Sequence, residues 1–252
     1  MNSKITILGC GSSIGVPVIG CKCEICSTQN AKNIRTRSSI LIQHGKINIL
    51  IDAGPDIRQQ LLKKQITYLN GIILTHEHTD HIGGIHEIRV LNSHNTPTIN
   101  IYSNENTLNT IKRNAEYLFR LQHIQGNIIQ NQKAIIDNIK FEFRNIQHGD
   151  IINLAVSFII NNKRTVYLND ISNFTEQDIK WLNPCDYIII DAKEYYDSKN
   201  HFGFPKAKQL LSYIKYTHAY FINMSHNIDY YNLQTTIPNN SQLSFDGLQI
   251  PL

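Results

Sequence analysis

The chain has 252 residues, 41% of them hydrophobic, and a net charge of +4. That length and apolar content can bury a substantial core, which argues for one domain over residues 1–252. The mild positive excess suits phosphate-bearing substrates but is too small to argue for nucleic-acid binding. No apolar run approaches the ~20 residues that span a bilayer, and residues 1–8 lack the parts of a secretory signal. A soluble, cytoplasmic protein with no membrane partner is expected.

Residues 4–10 alternate as a strand does, and a loop rich in Gly, Ser and Cys then runs to about Arg37. A loop of that length needs a staple. Residues 38–43 and 46–52 read as two strands joined at His44-Gly45, and Gly54-Pro55 opens a helix to about Lys64. Residues 71–75 form a buried strand that runs directly into His76-Glu77-His78-Thr79-Asp80-His81, after which residues 82–91 have helical spacing. Further on, residues 140–146, 155–160, 165–168 and 187–190 are strand-like, and helices are expected near 175–182 and 205–216. This alternation indicates an α/β class. Asp246-Gly247 looks like a hairpin turn between two short terminal strands.

Four potential ligands in six residues, His76, His78, Asp80 and His81, follow an apolar strand. Buried imidazoles and carboxylates need partners, and a metal cluster supplies them. The zincin pattern of two His at i and i+4 on a helix fails, because the residue four after His76 is Asp80. His148 and Asp170 stand at later strand ends, and their order after the six-residue motif makes them candidates too. Cys21, Cys23 and Cys26 cluster in a chain expected to lie in a reducing compartment, so they read as metal ligands and not as a disulfide framework. Cys10 and Cys185 read as small buried apolar side chains.

With these motifs the sequence resembles the metallo-β-lactamase superfamily. Leu8-Gly9-Cys10-Gly11-Ser12-Ser13, Cys21-Lys22-Cys23-Glu24-Ile25-Cys26 and Asp52-Ala53-Gly54-Pro55-Asp56 narrow the resemblance to the branch that contains a phosphonate-pathway cyclic phosphodiesterase. The resemblance implies a four-layer αβ/βα sandwich with a metal site at one edge, a small phosphodiester as substrate, and a homodimer. It implies that His76, His78 and His148 hold one Zn²⁺ or Mn²⁺ ion, that Asp80 and His81 hold a second, and that Asp170 bridges them. Asp80 or Asp170 orients the attacking water, and His201 is the general acid. It further implies that His226 completes a structural Zn²⁺ site with Cys21, Cys23 and Cys26. One position departs from the pattern. Asn223, in Ile222-Asn223-Met224-Ser225-His226, stands where the branch carries the last histidine ligand of the second ion. An amide oxygen is a weaker ligand than imidazole, so the second ion is expected to bind loosely or only with substrate.

Arg35, Arg37 and Arg58 read as solvated surface charge, and His44, His86, His94, His123 and His218 as structural or exposed. The rival readings are an RNase Z-like nuclease, for which no arm-like insertion is visible, a relative of the pyrroloquinoline quinone pathway, and a non-catalytic metal-binding protein.

Overall fold

In a computed structural model, residues 3–92 and 98–252 are described; His94 lies outside them. Fourteen strands form two seven-stranded sheets. In chain order they are β1 (Ser3–Gly9), β2 (Ser39–His44), β3 (Ile47–Ile51), β4 (Gly71–Ile73), β5 (Ile99–Ser103), β6 (Ile124–Ile128), β7 (Lys133–Ile136), β8 (Ile139–His148), β9 (Ile151–Ile160), β10 (Lys163–Leu168), β11 (Cys185–Asp191), β12 (Tyr216–Ile222), β13 (Ser241–Leu243) and β14 (Gln249–Pro251). The helices are α1 (Glu24–Ser27), α2 (Ile57–Lys63), α3 (Thr79–Ile82), α4 (Glu105–Asn114), α5 (Glu116–Arg120), α6 (Glu176–Leu182), α7 (Phe204–Ser212) and α8 (Tyr230–Gln234). No helix among the described residues is long and apolar enough to cross a membrane.

The first sheet runs β14-β1-β2-β3-β4-β5-β6 and the second β13-β12-β11-β10-β9-β8-β7. In each, one half pairs antiparallel and the other parallel. Strand alternation sends neighbouring side chains to different layers. Ile40, Ile42, Ile49, Ile51 and Ile73 pack inward against Phe141, Phe143 and Phe158 of the second sheet. Leu41, Leu50, Ile72 and Leu74 pack outward against Ile57 and Leu61 of α2, and against Leu108 and Ile111 of α4. Strands buried on both faces read as continuous apolar runs, and for that reason these segments lack polar alternation. The result is the four-layer αβ/βα sandwich, two mixed sheets face to face with helices outside.

Three local expectations are corrected. Asp246-Gly247 is no hairpin turn, because β13 pairs with β12 in the second sheet while β14 pairs with β1 in the first; the turn residues carry the chain between sheets. Arg35 is not solvated. It is 1% exposed, donating from its guanidinium to the Ser225 and Ile228 carbonyls and to Asn33 Oδ1. The stretch 82–91 also differs from one regular helix, forming α3 and then a 3₁₀ segment at Ile85–Asn92.

Candidate metal centre

The candidate residues gather at one rim, beyond the C-terminal ends of the parallel strands, where side chains from separate strands can converge. Asp52 follows β3, His76 to His81 follow β4, and His148 ends β8. Asp170 follows β10, Asp191 ends β11, and Asn223 follows β12. His76 and His78 lie on extended chain, with His78 as the cap residue of α3, so Asp80 and His81 fall in its only turn. That turn is seated on the β3 exit: Ala53 N donates to His81 O at 2.7 Å. A Cβ on Gly54 would overlap the Asp80 carbonyl, so only glycine admits this approach. Gly54→Ala is therefore expected to destabilise the fold by about 2 kcal/mol and to loosen the His76–His81 loop, read by denaturant unfolding and by metal affinity together.

His76, His78 and His148 present ring nitrogens that all lie within 4.8 Å of one another, as do the donors of His76, His81 and Asp170. His81 Nε2 is 2.6 Å from Asp170 Oδ2 and 3.3 Å from Asp80 Oδ2. The far nitrogens are anchored. His81 Nδ1 meets Asp52 Oδ2 at 2.8 Å, His148 Nδ1 meets the Asn200 carbonyl at 2.9 Å, and His76 Nδ1 meets Thr75 Oγ1 at 3.0 Å. Such outer partners fix the tautomer and aim the other nitrogen inward.

Asp52 entered the sequence reading only within a motif of the resemblance and Thr75 only as the end of a strand, neither with a role, yet they orient this cluster. Thr75 donates its N–H and its hydroxyl to Asp52, both at 2.9 Å, and Tyr167 OH reaches Asp52 Oδ2 at 3.4 Å. Burial, reinforced by the His81 charge, holds His76 well below the ordinary imidazole pKa, and burial also lowers His148. Burial alone would lower His81 too, but the carboxylates of Asp52 and Asp170 outweigh it and hold its pKa well above the usual value.

The donor set fits a divalent cation at the first position. Among the described residues His76 Nε2 is buried with no hydrogen-bond partner, the Asp170 carboxylate lying 3.9 Å away, and a buried ring nitrogen with a free lone pair is what a metal satisfies. Beside it, His81 Nε2 faces one oxygen of Asp170 and one of Asp80. Asn223 completes the ring differently: its amide nitrogen donates to Asp170 Oδ1 at 2.7 Å and to Asp191 Oδ1 at 3.0 Å. It thus turns a donor, not a lone pair, toward the Asp170 carboxylate.

His201 joins the site from the loop before α7, its Nδ1 3.0 Å from Asp170 Oδ1 and 3.4 Å from Asp191 Oδ2. Burial opposes its protonation, but hydrogen bonds to the two carboxylates prevail and raise its pKa to about 9. Asp191, fully buried, is pushed up to about 6 by burial. Its position at the end of the apolar run 187–190 mirrors that of Asp170 after β10, a signal the sequence carried.

A second cluster lies beside the first. His226 Nδ1 is 3.4 Å from Cys21 Sγ and 3.5 Å from the sulfurs of Cys23 and Cys26. Tetrahedral zinc with ordinary Zn–S and Zn–N lengths places such atoms about 3.5 Å apart. Cys26 N donates to Cys23 Sγ at 3.4 Å, and this bond is the main cause that lowers the Cys23 thiol to about 6. Cys10 and Cys185 are buried, the first with its thiol donating to Ser244 O. Of the remaining histidines, His86 bonds Tyr117 OH at 3.1 Å and His218 packs on Tyr220.

Residues 47–224 match the family model of the beta-lactamase superfamily domain. The fold superposes on a diphosphatase of the PhnP family with a TM-score of 0.93 at 28% identity, covering 100% of this chain and 98% of that one. It superposes on Zn²⁺-bound PqqB from Methylobacterium extorquens with a TM-score of 0.83 at 18% identity, covering 99% of this chain and 100% of that one; that likeness speaks for the fold. In sequence, the octanoyltransferase of Porphyromonas gingivalis is 29% identical over 257 residues, covering 98% of this chain. The chain spans 51% of that protein, about half its length.

Proposed function

The chain belongs to the beta-lactamase superfamily, and from that premise we propose that it is a metal-dependent phosphodiesterase acting on a small, cyclic or otherwise compact phosphodiester. The observation that carries the reading is the convergence of His76, His78 and His148, with His81 and Asp170 alongside, around the unpartnered His76 Nε2. The 28% identity to a PhnP-family diphosphatase across the whole chain supports phosphorus as the centre attacked. The octanoyltransferase name belongs to a protein about twice as long, and the donor set here suits hydrolysis.

His76, His78 and His148 would hold one ion, and Asp80, His81 and Asp170 a second. A bound divalent cation supplies a nucleophile from water at neutral pH and neutralises charge on the phosphoryl oxygens. The chain's own groups do the rest. Asp80, whose side chain is 18% exposed, orients the attacking water and accepts one of its protons. The water oxygen forms the new P–O bond while the opposite P–O bond breaks, its electron pair going to the leaving oxygen. His201, 17% exposed and held at Nδ1, gives that oxygen a proton from Nε2. An open cleft of 740 Å³ runs along β8 and the start of α6, lined by Arg144, Gln147, Phe174 and Gln177, and none of the candidate metal ligands lines it.

Purified protein with added Mn²⁺ or Zn²⁺ is expected to hydrolyse bis(p-nitrophenyl) phosphate; no release of nitrophenolate with either metal would sink the reading in favour of a non-catalytic binder. Asn223 makes the two cation positions unequal. Asn223→His, which adds an imidazole lone pair beside Asp170, is expected to tighten the weaker cation about tenfold, measured by isothermal titration with Mn²⁺. Two equally tight sites in the unmodified protein would contradict the inequality.

A further inference from the structure

Asp191 has no task in the scheme above, yet it is buried at the centre of the site with 0% exposure. Burying a carboxylate is costly unless its oxygens are satisfied. Among the described residues its ion-pair partner is His201, with Asp191 Oδ2 at 3.4 Å from Nδ1. The same oxygen accepts the Ile171 N–H at 3.3 Å, and Oδ1 accepts the Asn223 amide at 3.0 Å. Asn223 also donates to Asp170 Oδ1 at 2.7 Å, and Asp170 Oδ1 is itself 3.0 Å from His201 Nδ1. Two carboxylates therefore converge on one ring nitrogen, and one amide, its nitrogen 3.4 Å from that same Nδ1, ties those carboxylates to each other.

Only a ring nitrogen that bears hydrogen meets two carboxylates favourably. The arrangement thus fixes the tautomer: Nδ1 keeps its proton and Nε2 is the nitrogen that exchanges one with a substrate. The backbone enforces the same placement. Phe202 N donates to Ile171 O, the residue after Asp170, and Lys193 N donates to Phe202 O. Asn200, the residue before His201, accepts from His148 Nδ1 at 2.9 Å, which links the loop to the first cation position as well.

We propose that Asp191 is a positioning residue that, together with Asp170 and joined to it by the Asn223 amide, holds His201 in the orientation and tautomer needed to protonate the leaving oxygen. The inference rests on the phosphodiesterase reading for its chemistry. It also gives Asn223 a use, since one amide group donates to both carboxylates at once, whereas an imidazole nitrogen in its place would serve one of them or a cation.

The test compares the wild-type protein with Asp191→Asn on aryl methyl phosphates whose leaving groups run from p-nitrophenolate to unsubstituted phenolate. A good leaving group departs without a proton and a poor one does not. Asp191→Asn is expected to retain p-nitrophenyl ester turnover within about threefold and to lose about 10²-fold on the phenyl ester. An equal loss across the series, or none, overturns the inference. Independently of activity, ¹⁵N-histidine spectra of the metal-free wild-type protein, recorded above pH 9 where the ring is neutral, are expected to show His201 with hydrogen on Nδ1. A bare Nδ1 overturns the inference without any variant. Asp191→Asn is expected to shift the tautomer. A wild-type protein that cleaves no member of the series sinks the phosphodiesterase reading itself, and the presence or absence of a tautomer shift in Asp191→Asn then still decides whether Asp191 orients His201.

Discussion

Asp170→Asn is expected to lower bis(p-nitrophenyl) phosphate turnover by about 10³-fold while leaving the circular dichroism spectrum intact. Asp170 stands between the two candidate cation positions, with Oδ2 at 2.6 Å from His81 Nε2 and Oδ1 at 3.0 Å from His201 Nδ1. Burial opposes its ionisation, but the His81 charge and the His201 and His81 hydrogen bonds hold its pKa well below the usual carboxylate range. An amide of the same shape removes a full negative charge from a site where positive charge is concentrated, and half of it donates where cations need an acceptor. Elemental analysis should show the second equivalent of metal lost first. A variant that keeps more than a tenth of wild-type turnover would remove Asp170 from the centre of the reaction.

Cys23→Ser is expected to lose one equivalent of zinc and to lower the thermal midpoint by about 10 °C. The four donors Cys21, Cys23, Cys26 and His226 already sit at the spacing of a closed tetrahedral site, and serine supplies a harder, less acidic oxygen. The loss should not unfold the chain, because a second set of bonds ties the same loop to the same segment. Arg35 reaches the Ser225 and Ile228 carbonyls, and Asn33 Nδ2 donates to Asp229 Oδ2 at 2.8 Å. Stability should therefore fall further than turnover measured well below the midpoint. Unchanged zinc content, or turnover lost in proportion to zinc, would refute a purely structural site.

Much of the centre was legible because its ligands are dense in sequence. His76, His78, Asp80 and His81 occupy a single loop, and Cys21, Cys23 and Cys26 another, so residue type and spacing point to metal before any fold is known. His148, Asp170 and His201 are isolated residues. The first two were raised by their place at strand ends after the motif and the third by the resemblance, and the structure brings them to the same rim. Asp52 and Asp191 were missed because their roles lie in contacts with distant residues: Asp52 meets His81, 29 positions away, and Asp191 meets Asn223, 32 away. Arg35 was misread for a related reason. An arginine in a Gly- and Ser-rich loop looks solvated until the chain's other end closes over it. In the fold, long apolar runs such as 47–51 were plain, whereas residues 99–136 and β12 went unread. Edge strand β6, with glycine and polar residues, carries little period-2 signal. The terminal strands were seen but wrongly paired, since local turn chemistry says nothing about which sheet each strand joins.

Strand β14 pairs antiparallel with β1, matching Lys4 with Pro251. β1 runs from that point toward the rim, where Gly11 bridges to Met224. Both described ends of the polypeptide consequently emerge side by side, about 20 Å of extended strand away from the reactive edge. Any tag, linker or additional module joined at either end leaves from that one corner without crowding the mouth of the cleft, and a short peptide could stitch the two ends together so that the chain is opened elsewhere.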